Sequence, residues 1–139
     1  MKLPSNHCLT RLILNGARSK IELAEGAGRS FSSAIQADSQ SEAAGDAGNI
    51  SILTGNLSIK GGAFIASTAS RSSGGNAGDI DILSTDSIEV VGTALNGASS
   101  GISVAVEAEA AGNAGNININ TQKLSLANGG SILASNVCT

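Results

Sequence analysis

The chain has 139 residues, a formal net charge of −3, 41% hydrophobic and 14% charged residues, no Trp or Tyr, and Phe only at Phe31 and Phe64. That length allows one core, but the aromatics that usually fill cores are missing, so the core must be thin and aliphatic. The plentiful Ile and Leu and the low charge exclude a disordered chain. The absence of a basic patch with interleaved aromatics excludes a nucleic-acid partner. No apolar run approaches the roughly 18 residues that membrane insertion needs.

Residues 1–11 read as an N-terminal tail. The apolar stretch that follows, Leu12-Ile13-Leu14, is far shorter than the about 7–15 residues of a secretory signal, so no signal peptide is expected. His7 is the only histidine and has no fixed neighbour in view, which argues against a catalytic or metal-ligating role. Residues 12–44 read as a partial coil plus a long loop. In this reading Leu12-Ile13-Leu14-Asn15-Gly16-Ala17 matches Leu124 to Gly130, Ile21-x-Leu23 is the third strand, and residues 24–44 are a Gly/Ser/Ala-rich excursion. Gly26-Ala27-Gly28 lacks the third glycine and the helix of a dinucleotide site, so it reads as loop.

An internal repeat organises the rest. Gly45-Asp46-Ala47-Gly48-Asn49-Ile50, Gly75-Asn76-Ala77-Gly78-Asp79-Ile80 and Gly112-Asn113-Ala114-Gly115-Asn116-Ile117 start 30 and 37 residues apart. Alternating pairs follow each copy: Ile50-x-Ile52, Leu57-x-Ile59 and Ile65; Ile80-x-Ile82, Ile88-x-Val90 and Ile102-x-Val104; Ile117-x-Ile119, Leu124-x-Leu126 and Ile132. Period-two alternation is the signature of strands with one apolar face. Ser, Thr, Asn, Asp and Gly between the pairs predict turns. The units are therefore 45–74, 75–111 with a loop insertion at 93–101, and 112–139 as the last coil and tail. Apolar residues at helical spacing are missing, which excludes a helical solenoid. Antiparallel hairpins would not require the same residue type at the same place in every copy, whereas coiling does.

The expected fold is all-β: a right-handed parallel β-helix of about three to four triangular coils, with three short strands to a coil. Stacking at about 4.8 Å would then align inward columns Ile50/Ile80/Ile117, Ile52/Ile82/Ile119, Leu57/Ile88/Leu124, Ile59/Val90/Leu126 and Ile65/Ile102/Ile132. Outward columns would be Ser51/Asp81/Asn118 and Ser58/Glu89/Ser125. Gly48/Gly78/Gly115 would serve a positive φ or a close backbone approach, and Gly61-Gly62 and Asn128-Gly129 would mark a corner. Cys8 and Cys138 would sit about three coils, roughly 14 Å, apart along the axis, too far for a disulfide. Open coils at both ends, with no capping helix in the pattern, predict self-association and suggest that the chain is a fragment.

At these residues the chain resembles the filamentous haemagglutinin-like proteins, especially the cyanobacterial ones described as S-layer-like. Gly112 to Ser135 is the closest copy of their G-N-A-G-N-I-x-I-x-T, L-x-L-x-N-G-A-x-I-x-A-S pattern. The resemblance implies a right-handed parallel β-helix exported by two-partner secretion. It further implies a structural and adhesive segment of a secreted or outer-membrane-associated cell-surface protein, with a glycan or protein receptor as partner. The alternatives are a non-functional fragment of such an adhesin, or a carbohydrate-active β-helix.

No chemistry is expected: no enzyme activity, no catalytic, cofactor-binding or metal site, and no cofactor. Asp79 and Asp81 lie two apart and face out together beside Asn116 and Asn118, which reads as a solvated strand face. Gly74-Gly75-Asn76-Ala77-Gly78-Asp79-Ile80 has the wrong offsets and spacing for a calcium-binding nonapeptide.

Overall fold

A computed structural model describes residues 11–24, 33–39, 45–70, 74–108, 110 and 112–136; of residues 11–19 only the backbone is described. The strands among them are β1 (Arg11–Leu23), β2 (Ala34–Gln36), β3 (Asn49–Lys60), β4 (Phe64–Ala69), β5 (Ile80–Val91), β6 (Gly101–Val106), β7 (Ile117–Asn120), β8 (Lys123–Ala127) and β9 (Ser131–Asn136). They form two wholly parallel sheets. The first has the order β1-β3-β5-β7, with β8 also paired to β5, and the second has the order β2-β4-β6-β9. The chain crosses from one sheet to the other and back, and each return adds one rung.

The sheets enclose an aliphatic core, and Ala69, Ala77 and Val106 form a second, smaller cluster. Ile50, Ile52, Leu57 and Ile59 of β3 and Ile80, Ile82, Ile88 and Val90 of β5 face Ile65 of β4 and Ile102 and Val104 of β6, all buried. The partner of each residue is the one that the inward columns predict: Ile50 pairs with Ile80 and Ile80 with Ile117, and Leu57 pairs with Ile88 and Ile88 with Leu124. Burying each such side chain contributes about 1.5–3 kcal/mol before chain entropy is counted.

The expectation of a three-sheet, triangular β-helix is overturned. The first two strand pairs of each repeat do not belong to separate sheets. They run on as one strand, β3 or β5, through a bulge between Thr54 and Asn56. The turn-forming residues read there are an inward polar patch instead. The Thr54 hydroxyl donates to Asn56 O at 3.2 Å, and the Ser84 hydroxyl lies 2.7 Å from Gly55 O and 3.0 Å from Ser87 O. Both side chains are fully buried. Hydroxyls that satisfy the carbonyls at a bulge remove the reason to leave the sheet. Only in the last repeat do the halves separate, as β7 and β8, with Thr121 Oγ1 3.2 Å from Lys123 O.

The expected alignment of the first rung is also corrected. Leu12 pairs with Ile50, not with the column of Leu124, and Ile21 and Leu23 pair with Leu57 and Ile59 of the first sheet. The third strand of that rung is β2, inside the segment read as loop: Ile35 pairs with Ile65. Three residues of strand carrying one Ile leave almost no period-two signal.

Glycines act at the two kinds of corner in different ways. Gly61 and Gly62 turn the chain between sheets at φ 60° and 81°, as do Asn128 and Gly129 at 51° and 92°. A Cβ on Gly62 would also meet Ala94 Cβ at 2.5 Å. Gly78 and Gly115 have no positive φ; a Cβ on either would run into the carbonyl of Gly48 or Gly78 in the rung below. Close backbone approach is the reason for glycine there.

Candidate functional site

The G-x-A-G-x-I corners form a hydrogen-bonded ladder along the stack. Backbone bonds link alternate positions: Ala47 N to Asn76 O at 2.8 Å, Ile50 N to Asp79 O at 2.9 Å, Ala77 N to Asn113 O at 3.0 Å and Ile80 N to Asn116 O at 2.8 Å. The intervening N–H groups are taken by side chains of the rung below. Asn76 N donates to Asp46 Oδ1 at 2.7 Å and Asp79 N to Asn49 Oδ1 at 2.8 Å. One rung further, Asn113 N donates to Asn76 Oδ1 at 2.8 Å and Asn116 N to Asp79 Oδ1 at 2.7 Å. Asn and Asp recur at these places because only a short side chain with a carbonyl-type oxygen reaches the next rung's amide.

The same geometry engages the two outward carboxylates singled out in the sequence. Asp79 Oδ1 also accepts Asn116 Nδ2 at 3.2 Å, and Asp81 Oδ1 accepts Asn118 Nδ2 at 2.8 Å. Asp79 precedes β5 and Asp81 lies in it, on the outer face as expected. Among the described residues no three of His, Cys, Asp and Glu gather where a metal could sit. His7, Cys8, Cys138 and Gly26-Ala27-Gly28 lie outside the described residues. The 93–101 loop is a small turn closed by Ala94 N to Ala98 O at 2.8 Å, with Leu95 at its exposed tip. A single exposed Leu carries no functional signal.

Charge sits along one outward stripe of the first sheet. Lys60 Nζ lies 3.0 Å from Glu89 Oε2, and Lys20 Nζ 2.7 Å from Glu22 Oε2. The Lys60 ammonium holds Glu89 below the usual carboxylate range, with Ser58 and then Lys123 adding to the effect, and Glu89 raises Lys60 in return. Glu22 is lowered chiefly by Lys20, and Lys60 contributes from the next rung. Carboxylates and ammoniums on neighbouring rungs thus pair diagonally rather than directly opposite. On the other sheet, Asp38 is half-buried and accepts Thr68 N at 3.1 Å. Burial pushes its carboxyl up, bonding to Thr68 opposes this, and Glu107 adds to the rise.

The remaining feature is the last rung. Leu124 and Leu126 of β8 are 45% and 46% exposed and Leu133 of β9 is 56% exposed, whereas Ile88 and Val90, the partners of the first two, are 0% exposed. Ile117, Ile119 and Ile132 are only partly buried. Asn113 and Asn116 accept no hydrogen bond through Oδ1 among the described residues, and the rung-to-rung pattern aims Ala114 N–H and Ile117 N–H at the same open side. This edge joins an apolar row to unfilled donors and acceptors, the features of a strand edge ready to pair. The repeat pattern held the signal for it, since equivalent residues can be equally buried only if every rung has two neighbours.

Comparison with known protein families, with curated proteins and with solved structures finds no match. The resemblance to filamentous haemagglutinin-like proteins is therefore overturned: no family matches, and the fold has two parallel sheets where that family implied a triangular β-helix. The adhesive, two-partner-secreted surface role that rested on it falls with it. Among the described residues no helix is long and apolar enough to cross a membrane.

Proposed function

We propose that this chain is a non-catalytic structural module that works by self-association through the edge of its last rung. The observation that carries this reading is the contrast between Leu124 and Leu126, nearly half exposed, and Ile88 and Val90, fully buried one rung below in the same columns. The edge needs no new chemistry to be covered. A further rung of the same pattern would bury the apolar columns and supply an amide to Asn116 Oδ1 and a carbonyl to Ile117 N–H. The engagement of Asp79 and Asp81 in the ladder supports a structural rather than a catalytic use of the carboxylates.

Sedimentation velocity over a hundredfold range of concentration tests this. The average mass should rise with concentration, and a Leu124→Lys/Leu126→Lys variant should stay monomeric, because charge on a strand edge blocks pairing. A wild-type chain that is folded by circular dichroism yet monomeric throughout would sink the reading.

A further inference from the structure

Granted that self-association, the register of the stack says which surface meets which. We infer that the β7–β8–β9 edge of one copy pairs in parallel with the β1–β2 edge of a second copy, in the register of the existing rungs, so that copies add head to tail into an open-ended filament.

The columns carry the argument. Leu12, Ile50, Ile80 and Ile117 share one column, and Leu14, Ile52, Ile82 and Ile119 another. Ile21, Leu57, Ile88 and Leu124 follow, then Leu23, Ile59, Val90 and Leu126. Ile35, Ile65, Ile102 and Ile132 complete the set on the second sheet. The first rung therefore presents an apolar residue in each of these five columns, while Gln36 stands in the column of Leu133. Setting a second copy's β1 on β7 and β8 repeats a step the chain already makes between its own rungs. Arg11 stands in the column of Asn49, Asp79 and Asn116. Its N–H would fill Asn116 Oδ1, as Asp79 N fills Asn49 Oδ1.

Charge enters the same register in two opposing ways. Lys20, Asn56, Ser87 and Lys123 form one column and Glu22, Ser58, Glu89 and Ser125 the next outward one. Within the chain Lys123 already acts on Glu89, diagonally across one rung, and lowers its carboxyl. In the head-to-tail junction Glu22 of the second copy takes the matching diagonal place on the open side of Lys123, while Lys20 of that copy stands directly opposite Lys123, an unfavourable pair that Glu22 offsets. Pairing two last rungs with each other would instead run the strands antiparallel, a step the stack makes nowhere among the described strands.

A heterologous contact of this kind does not close on itself, so growth continues at both ends. Two singly blocked variants distinguish the modes. Leu124→Lys/Leu126→Lys closes the last-rung edge and Ile21→Lys the first-rung edge, with Ile35→Lys as a second first-rung variant should Ile21→Lys fail to fold. Circular dichroism checks the folding of each. Each variant alone should be monomeric, and an equimolar mixture should give a particle of twice the monomer mass and no larger. A first-rung variant that dimerises or polymerises on its own overturns the head-to-tail mode while leaving self-association in place; a monomeric wild type removes both. As a check that leaves the core untouched, Glu22→Lys should weaken assembly about 2- to 5-fold, the range of an exposed ion pair, and Lys20→Glu, which sets a carboxylate opposite Lys123, should strengthen it by a similar factor. A Lys20→Glu variant that assembles no better than the wild type would overturn the register.

Discussion

The inner rungs and the last rung are written in the same residues and live in different surroundings. Ile88 and Val90 in β5 and Leu124 and Leu126 in β8 occupy the same columns, point to the same side and follow the same corner motif, yet the first pair is sealed and the second is nearly half exposed. Burial here is a property of having a rung on each side, not of the motif. The same holds for the polar ladder: Asp79 Oδ1 is filled by the Asn116 amide, and Asn116 Oδ1, one rung on, accepts no hydrogen bond among the described residues. Stability is thus a sum of contacts between neighbouring rungs, and a terminal rung has half of them.

The sharpest way to break this comparison is to truncate both columns equally. Ile88→Ala should cost about 2–5 kcal/mol, the range for a large aliphatic removed from a packed core, and Leu124→Ala roughly half as much or less under conditions where the chain is monomeric. Equal losses in urea denaturation would show that the last rung is covered in solution. Under associating conditions the two losses should converge.

A smaller effect is expected at Ser67, which has no counterpart in the next rung, where Val104 takes its column. Its buried hydroxyl lies 3.0 Å from Ala37 O and 3.1 Å from Gly48 O and accepts Gly78 N at 2.9 Å, tying the second sheet to the glycine corner. Ser67→Ala leaves the Gly78 amide without that acceptor and should cost about 1–3 kcal/mol. A neutral result in the same denaturation experiment would mean that water takes the hydroxyl's place.

The smallest expected effect concerns Asp38. Its carboxyl is raised in the folded chain, first by burial, so its contribution is fully present below the ordinary carboxylate value and is lost as the pH rises through the raised one. At neutral pH the ionised group therefore weakens the fold. Asp38→Asn, which keeps an acceptor for Thr68 N–H, should raise the melting temperature slightly near neutral pH and leave it unchanged below about pH 4. A decrease at neutral pH would show that the charge on Asp38 strengthens its bond to Thr68 by more than burial disfavours it.

Much of this architecture was legible in the residues, and its failures are instructive. The spacing of Ile50-x-Ile52, Ile80-x-Ile82 and Ile117-x-Ile119 was enough to pair them, because period-two alternation in consecutive copies admits one register that keeps every Ile inward. The first rung was misaligned because it lacks the corner motif, and Leu12-Ile13-Leu14 has no alternation to orient it. The number of sheets was misread for a different reason. Ser, Thr, Asn and Gly between strand pairs signal a turn, but Thr54 and Ser84 point inward and hydrogen-bond across a bulge, and inward or outward is not written in composition.

By itself, then, the sequence determined an all-β chain with an aliphatic core, parallel columns of Ile, Leu and Val, and glycine corners, because alternation and repetition act through local geometry that each copy carries. Only the tertiary structure decided that the strands merge into two sheets, that the Asn and Asp side chains form a ladder, and that the last rung is left open. The merging rests on which way Thr54 and Ser84 point, and the ladder and the open rung depend on what lies one rung away, 30 residues or more along the chain.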